Sequence, residues 1–225
     1  MWGTYIVSLN EIQHGRTVRQ VVIYDTLRVL ARSIMPALMR LRAEGRSNYP
    51  KTGGALICSN HQSHFDPIIV GLTCNRRMNY VARKTLFGFF LFRWLIEFLD
   101  AIPIERDGIG IGGLKETLKR LKRGEVVLIF PEGTRSKDGE MGRLRPGFCA
   151  LARRSKVPLV PVGFDGGYDA WPRTRLLPGW SRIHVVVGPP IEPEDFKRMD
   201  DDQLMAELER RIRVCFDRAR RMSRD

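Results

Sequence analysis

A chain of 225 residues with 38 Lys and Arg against 25 Asp and Glu carries a formal net charge of +13. That length suits one domain burying roughly 70 to 75% of its unfolded surface, so disulfides are unnecessary, and Cys58, Cys74, Cys149 and Cys215 form neither a CxxC pair nor a metal-ligand spacing. The charge favours polyanionic partners, yet the cations are scattered apart from short clusters such as Lys119-Arg120-Leu121-Lys122-Arg123, and the absence of a nucleic-acid motif argues against nucleic acid.

The N-terminus lacks the positive-then-apolar order of a secretion signal, and no run of about eighteen uncharged apolar residues follows, so a membrane would be met at its surface. The cysteine usage fits a reducing, cytosolic setting. Val18 to Leu41 has apolar residues at helical spacing with Arg28, Arg32, Arg40 and Arg42 between them, which predicts an amphipathic helix bent or interrupted near Pro36. After the turn-rich stretch from Asn48 to Gly54, Ala55-Leu56-Ile57-Cys58 reads as a short buried strand delivering Asn60 and His61 to its carboxyl end. Asp66-Pro67 then reads as a helix start, with aspartate as N-cap and proline at the first helical position.

Leu86 to Ile104 is apolar nearly all round apart from Arg93, Glu97 and Asp100. It reads either as a buried core helix or as an interfacial segment or acyl-pocket wall built from Phe87, Phe89, Phe90, Phe92 and Trp94. Lys115 to Lys122 predicts another helix, and Val126 to Phe130 a β-branched strand halted by Pro131. Phe148 to Arg154 reads as helix, Pro158 to Phe164 and Ile183 to Val187 as strands, and the segment after Asp200-Asp201-Asp202 as a long helix with Leu204, Leu208, Ile212 and Cys215 on one face. Trp171 and Trp180 in the proline-rich loop read as loop packing or further interfacial contacts. Alternating strands and helices predict an α/β fold: a single-domain layered sheet flanked by helices, with an amphipathic N-terminal helical segment. The expected division is a helical membrane-surface segment over residues 1–50 and an α/β domain over 51–225.

Two stretches carry chemistry. In Asn60-His61-Gln62-Ser63-His64-Phe65-Asp66, an imidazole held by a carboxylate is both oriented and stabilised when it becomes cationic, which suits a general base. His61 with Asp66 fits that role; His64 competes for it, and plain alternatives are a structural histidine and a helix cap. In Phe130-Pro131-Glu132-Gly133-Thr134-Arg135-Ser136, the residues after Phe130 follow a strand end, where open α/β sheets hold ligands. Gly133 lets amides approach an anion and Arg135 offers a bidentate fork, although an ordinary surface turn has the same composition.

Together these residues closely resemble the glycerolipid acyltransferase family typified by 1-acylglycerol-3-phosphate acyltransferase, also called lysophosphatidate acyltransferase, over about Gly53 to Val162. The family's histidine, four spacers and aspartate map onto His61 and Asp66, which selects His61 over His64. Its second block resembles Ala101-Ile102-Pro103-Ile104-Glu105-Arg106, although Asp100 stands where glycine is usual. Its third matches Phe130 to Ser136 and its fourth Val157 to Val162, and Leu144 to Phe148 resembles the following segment, with Arg145 where lysine is common.

The resemblance implies acyl transfer from acyl-coenzyme A or acyl-carrier protein to a lysophospholipid hydroxyl, most simply the sn-2 hydroxyl of lysophosphatidate. His61 would be the base and Asp66 its partner. Arg135, Arg106 and Lys84 would bind the acceptor phosphate, Glu132, Gly133 and Thr134 would shape the substrate site, and Pro161 would lie near the acyl donor. No metal and no cofactor are expected. The expected setting is an anionic membrane surface on the cytoplasmic face, held peripherally or monotopically. Other lysolipids or glycerol phosphate are alternative acceptors, and a thioesterase using Cys58 or Ser63 beside His61 is an alternative reaction.

Overall fold

The computed structural model describes residues 17–83, 101–104 and 110–224. Its centre is a seven-stranded sheet in the order β1-β7-β6-β2-β5-β3-β4: β1 is Arg42–Glu44, β2 Ala55–Ser59, β3 Met78–Arg83, β4 Ile102–Ile104, β5 Val126–Ile129, β6 Leu159–Asp165 and β7 His184–Val187. All neighbours run parallel except β6 and β7. The helices are α1 (Val18–Leu38), α2 (Asp66–Thr73), α3 (Gly110–Lys122), α4 (Gly147–Ser155), α5 (Gly167–Ala170), α6 (Pro193–Phe196) and α7 (Asp201–Arg224).

The expected α/β sheet is therefore present, and its central strands explain their composition. Both faces of β2 and β5 are covered, so Ala-Leu-Ile-Cys and Val-Val-Leu-Ile are apolar throughout instead of alternating with polar residues. Side chains still divide by face. Leu56, Cys58, Val127 and Ile129 meet the core under α4 and α7, where Leu151, Leu204, Leu208, Ile212 and Phe216 are buried. Ala55, Ile57, Val126 and Leu128 face the opposite core, with Ile69 and Val70 of α2 and Met39 and Leu41 after α1.

Several boundaries differ from the sequence reading. Helix α1 runs through Pro36 for two more residues, and the chain then turns at Arg40, whose φ is 43°. Segment Arg42–Glu44 pairs with β7, so the sheet begins inside the stretch expected to be a separate N-terminal segment. Ile102–Ile104 is a strand paired with β3 and does not continue an apolar helix. Residues 86–100 of that apolar stretch, Asp100 included, lie outside the described residues.

Helix α1 departs from an ordinary surface helix, because its inner face buries arginines as well as Val21 and Tyr24. Arg28 and Arg32 are buried beneath it and donate to the carbonyls of Cys74 and Leu72 at the C-terminal end of α2. Leu27, Leu30, Ile34 and Leu38 are exposed on its outer side.

Candidate active site

The carboxyl ends of β2 and β5 lie side by side, since Cys58 is in register with Ile129. Asn60 ends the pairing of β2 with β6: its amide donates to Phe164 O at 2.8 Å and accepts from Phe164 N at 2.8 Å. The chain then makes the tight turn that carries His61 and returns at Asp66. Asp66 is not the helix cap expected from Asp-Pro, because Phe65 holds that position and Asp66 is the first helical residue. Its Oδ2 instead turns back to accept from Gln62 N at 2.6 Å, Ser63 N at 2.8 Å and His61 Nδ1 at 2.7 Å.

A carboxylate oxygen accepts only, so the bond from Asp66 fixes the His61 tautomer with its proton on Nδ1 and a lone pair on Nε2. Asp66 is fully buried while the His61 side chain is 18% exposed, so the imidazole reaches outward from a buried anchor. The imidazole is stacked on Phe130, with ring centroids 3.9 Å apart and planes 13° from parallel. Gly167 leaves room for this arrangement: a Cβ there would stand 2.0 Å from the Phe164 ring and 2.9 Å from Asp66 Oδ1.

The turn after β5 clasps the main chain of His61 from both sides. His61 N donates to Glu132 Oε1 at 2.9 Å, and Ser136 N donates to His61 O at 2.7 Å. The other Glu132 oxygen accepts from Gly142 N at 3.0 Å. Glu132, expected to shape the substrate site, is thus buried with both carboxylate oxygens committed to backbone amides. Burial raises its carboxyl to about 7, with the charge of Asp66 adding to the rise and the amides of His61 and Gly142 opposing it.

Gly133 and Thr134 are exposed at the tip of this turn. Gly133 adopts φ 67°, and a Cβ would strike Arg145 Nε at 2.7 Å. Arg145 in turn donates from Nε to Glu132 O at 3.1 Å, closing the turn underneath. Arg135 is half-buried and its Nη1 donates to the His64 ring. Burial, then Arg135 and His61, lower the His64 imidazole to about 4, so it faces Arg135 as a neutral ring. His61, with its carboxylate partner, and not His64, has the surroundings of a base.

Pro161 lies within β6 opposite Cys58, and its carbonyl accepts from Gly188 N, so it belongs to the sheet interior. Lys84 and Arg106 lie outside the described residues. Neither proposed thioesterase nucleophile is presented as one. Cys58 is buried with its thiol pushed far up by burial, and Ser63 Oγ donates to Trp171 O at 2.9 Å. Among the described residues no group of three or more His, Cys, Asp or Glu could hold a metal ion. Sequence reasoning missed Phe130 as the stacking partner, Gly142 and Gly167; Phe130 was the traceable one, since an aromatic at a strand end beside the His61 turn is placed to stack.

Two loops at adjacent strand ends, one presenting an oriented imidazole and the other an arginine on a glycine turn, match the order of motifs in the sequence. The family model for acyltransferases matches residues 40–165. The chain belongs to the acyltransferase family. This acyltransferase is 30% identical to the 1-acyl-sn-glycerol-3-phosphate acyltransferase of Pseudomonas aeruginosa, over 94% of its own length and 81% of the relative. It is 28% identical to the enzyme of the same name from Bacillus subtilis, over 75% of its length and 82% of the relative. Its fold resembles the crystal structure of the 1-acyl-sn-glycerophosphate acyltransferase of Thermotoga maritima, with a TM-score of 0.68 at 23% identity, covering 86% of this chain and 82% of that one.

Proposed function

We propose that this acyltransferase moves a fatty acyl group from acyl-coenzyme A or acyl-carrier protein to the sn-2 hydroxyl of lysophosphatidate, giving phosphatidate. The observation that carries this reading is the 2.7 Å bond between His61 Nδ1 and Asp66 Oδ2, which leaves Nε2 as an oriented acceptor. Nε2 takes the proton of the acceptor hydroxyl as its oxygen attacks the thioester carbonyl. Asp66 stabilises the imidazolium that forms. Collapse of the tetrahedral intermediate breaks the C–S bond, and the imidazolium returns the proton to the departing thiolate, so no acyl-enzyme is required.

Arg135 grips the acceptor's phosphate in this reading, joined by Arg106 and Lys84, and Gly133 and Thr134 leave the turn open to an anion. Glu132 acts as a positioning residue, holding the main chain of His61. Pro161 supports the acyl-donor side through the sheet. The names carried by the relatives support lysophosphatidate as the acceptor.

The same reading puts the enzyme on the cytoplasmic face of an anionic membrane, peripherally or monotopically. Among the described residues no helix is long and apolar enough to cross a bilayer. The exposed apolar side of α1 above inward-facing Arg28 and Arg32, together with the charge of +13, supports contact with lipid at the surface. The test of the reaction is mass spectrometry of products from a panel of acceptors with both donor types. Phosphatidate formed from lysophosphatidate in preference to glycerol 3-phosphate and other lysolipids is the expected result; preference for another acceptor overturns the assignment.

A further inference from the structure

The segment between α5 and β7 turns its apolar side chains outward. Leu176, Leu177 and Trp180 are 88%, 71% and 58% exposed. The segment is nonetheless tied down at its base. Trp171 Nε1 donates to Arg175 O at 3.1 Å, Arg175 Nη1 to Asp169 O at 2.9 Å, and Gly179 N to Ala170 O at 2.6 Å. A loop held this way could present polar residues at no cost to its own bonds, so a Leu-Leu pair beside an exposed tryptophan marks a surface made for an apolar or interfacial partner.

Three observations select that partner. Residues 171–183 include Arg173, Arg175 and Arg182 and no acid, and the Arg40 guanidinium lies 5.1 Å from the centre of the Trp180 ring. Apolar tips ringed by arginine suit anionic headgroups above acyl chains, whereas a second copy would bring the same cations into opposition. The apolar surface also continues beyond the loop. Ile183 N donates to Met39 O and Arg42 N to Ile183 O, so the foot of the loop is bonded to the end of α1, where Ile34 and Leu38 face outward. The other foot stands on the catalytic turn, because the Trp171 ring lies 4.9 Å from both His64 and Phe65.

We propose that the loop Pro172–Ser181 is a membrane contact separate from α1, seating Leu176, Leu177 and Trp180 in the interface of an anionic bilayer beside the mouth of the active site. This rests on the membrane reading above and adds a second foot to it. With lipid held at the loop beside the catalytic turn, a lysolipid could pass its headgroup to Arg135 without leaving the surface.

The test compares the parent, a Leu176→Ser/Leu177→Ser variant and a Leu30→Ser/Ile34→Ser variant of the full chain. Each is measured for partitioning onto phosphatidylcholine vesicles with and without phosphatidylglycerol, and for turnover of a short-chain lysophosphatidate below its micelle threshold. The loop variant is expected to partition onto anionic vesicles about tenfold less than the parent, the loss expected for two partly withdrawn leucines, with unchanged turnover of the monomeric acceptor. Leu176→Phe/Leu177→Phe should bind like the parent or better. Parent-like binding by the serine variant overturns the loop proposal, even if the α1 variant detaches. A parent that binds no vesicles overturns the membrane reading and the loop proposal with it. A lipid-free dimer that the loop variant converts to monomer overturns it in favour of a second copy.

Discussion

The main-chain N–H of His61 donates to Glu132 Oε1 at 2.9 Å, joining the end of β2 to the turn after β5. His61 is therefore held twice: its ring by Asp66, its backbone by Glu132. Because Glu132 also accepts from Gly142 N, one buried carboxylate ties the His61 turn to two points of the connection between β5 and α4.

Glu132→Gln tests whether this residue positions the base or binds substrate. Glutamine keeps one acceptor oxygen but turns its NH2 toward the second amide, so one of the two backbone bonds is lost, at about 1–3 kcal/mol for a buried unpaired donor. A positioning role predicts a fall in kcat with the acceptor KM nearly unchanged; a ligand role predicts the reverse. The pH dependence follows from burial, which sets the folded carboxyl at about 7 against about 4.3 for an unfolded glutamate. Between those values the folded state binds the extra proton, so this group makes the protein less stable as pH rises from about 4.3 to about 7 and has no further effect above that. Denaturation midpoints across this range should show that slope in the parent and lack it in Glu132→Gln.

His64 should give the opposite slope. Its imidazole is lowered to about 4 by burial, then by Arg135 and His61, against about 6.5 unfolded. The unfolded chain binds the proton first, so stability present above about 6.5 is lost as pH falls toward 4. His64→Gln should flatten this portion of the curve in urea titrations while leaving acyl transfer within a few-fold of the parent. Loss of activity as deep as that of a His61 variant would make His64 the base instead.

Arg135→Lys separates charge from shape. Lysine keeps the positive charge but cannot present two parallel donors to a phosphate. Steady-state kinetics should show the KM for lysophosphatidate raised about 10- to 100-fold, the equivalent of one charge-assisted hydrogen bond. The KM for the acyl donor should change little, and an equal rise for both substrates would argue that Arg135 supports the fold and not the headgroup.

The parts of the molecule that were legible in the sequence were the local ones. The β2 and β5 strands could be read because sheets covered on both faces require continuous apolar runs, and His61 with Asp66 because a short turn suffices to join them. The assignment of Asp66 as a helix cap erred by one residue for a physical reason: the same carboxylate that could satisfy the first amides of α2 satisfies those of Gln62 and Ser63 instead. The inward orientation of Glu132 could not be read because an acid after a strand end can face outward or inward, and its partners, His61 and Gly142, come from separate loops. Strand β3 escaped notice since its buried Asn79 looks like a turn residue until Arg120 and Glu125 are brought beside it. The inward arginines of α1 were hidden for a similar reason, because the carbonyls they serve belong to the end of α2.

Acyl transfer by this mechanism depends most directly on His61. Acyl transfer to lysophosphatidate by purified His61→Ala, with its fold checked by thermal melting against the parent, is the deciding measurement. Loss of the base predicts kcat lower by about 100- to 10,000-fold, with Asp66→Asn also strongly impaired because its amide can hold the wrong tautomer. Turnover by folded His61→Ala within a few-fold of the parent would contradict the mechanism.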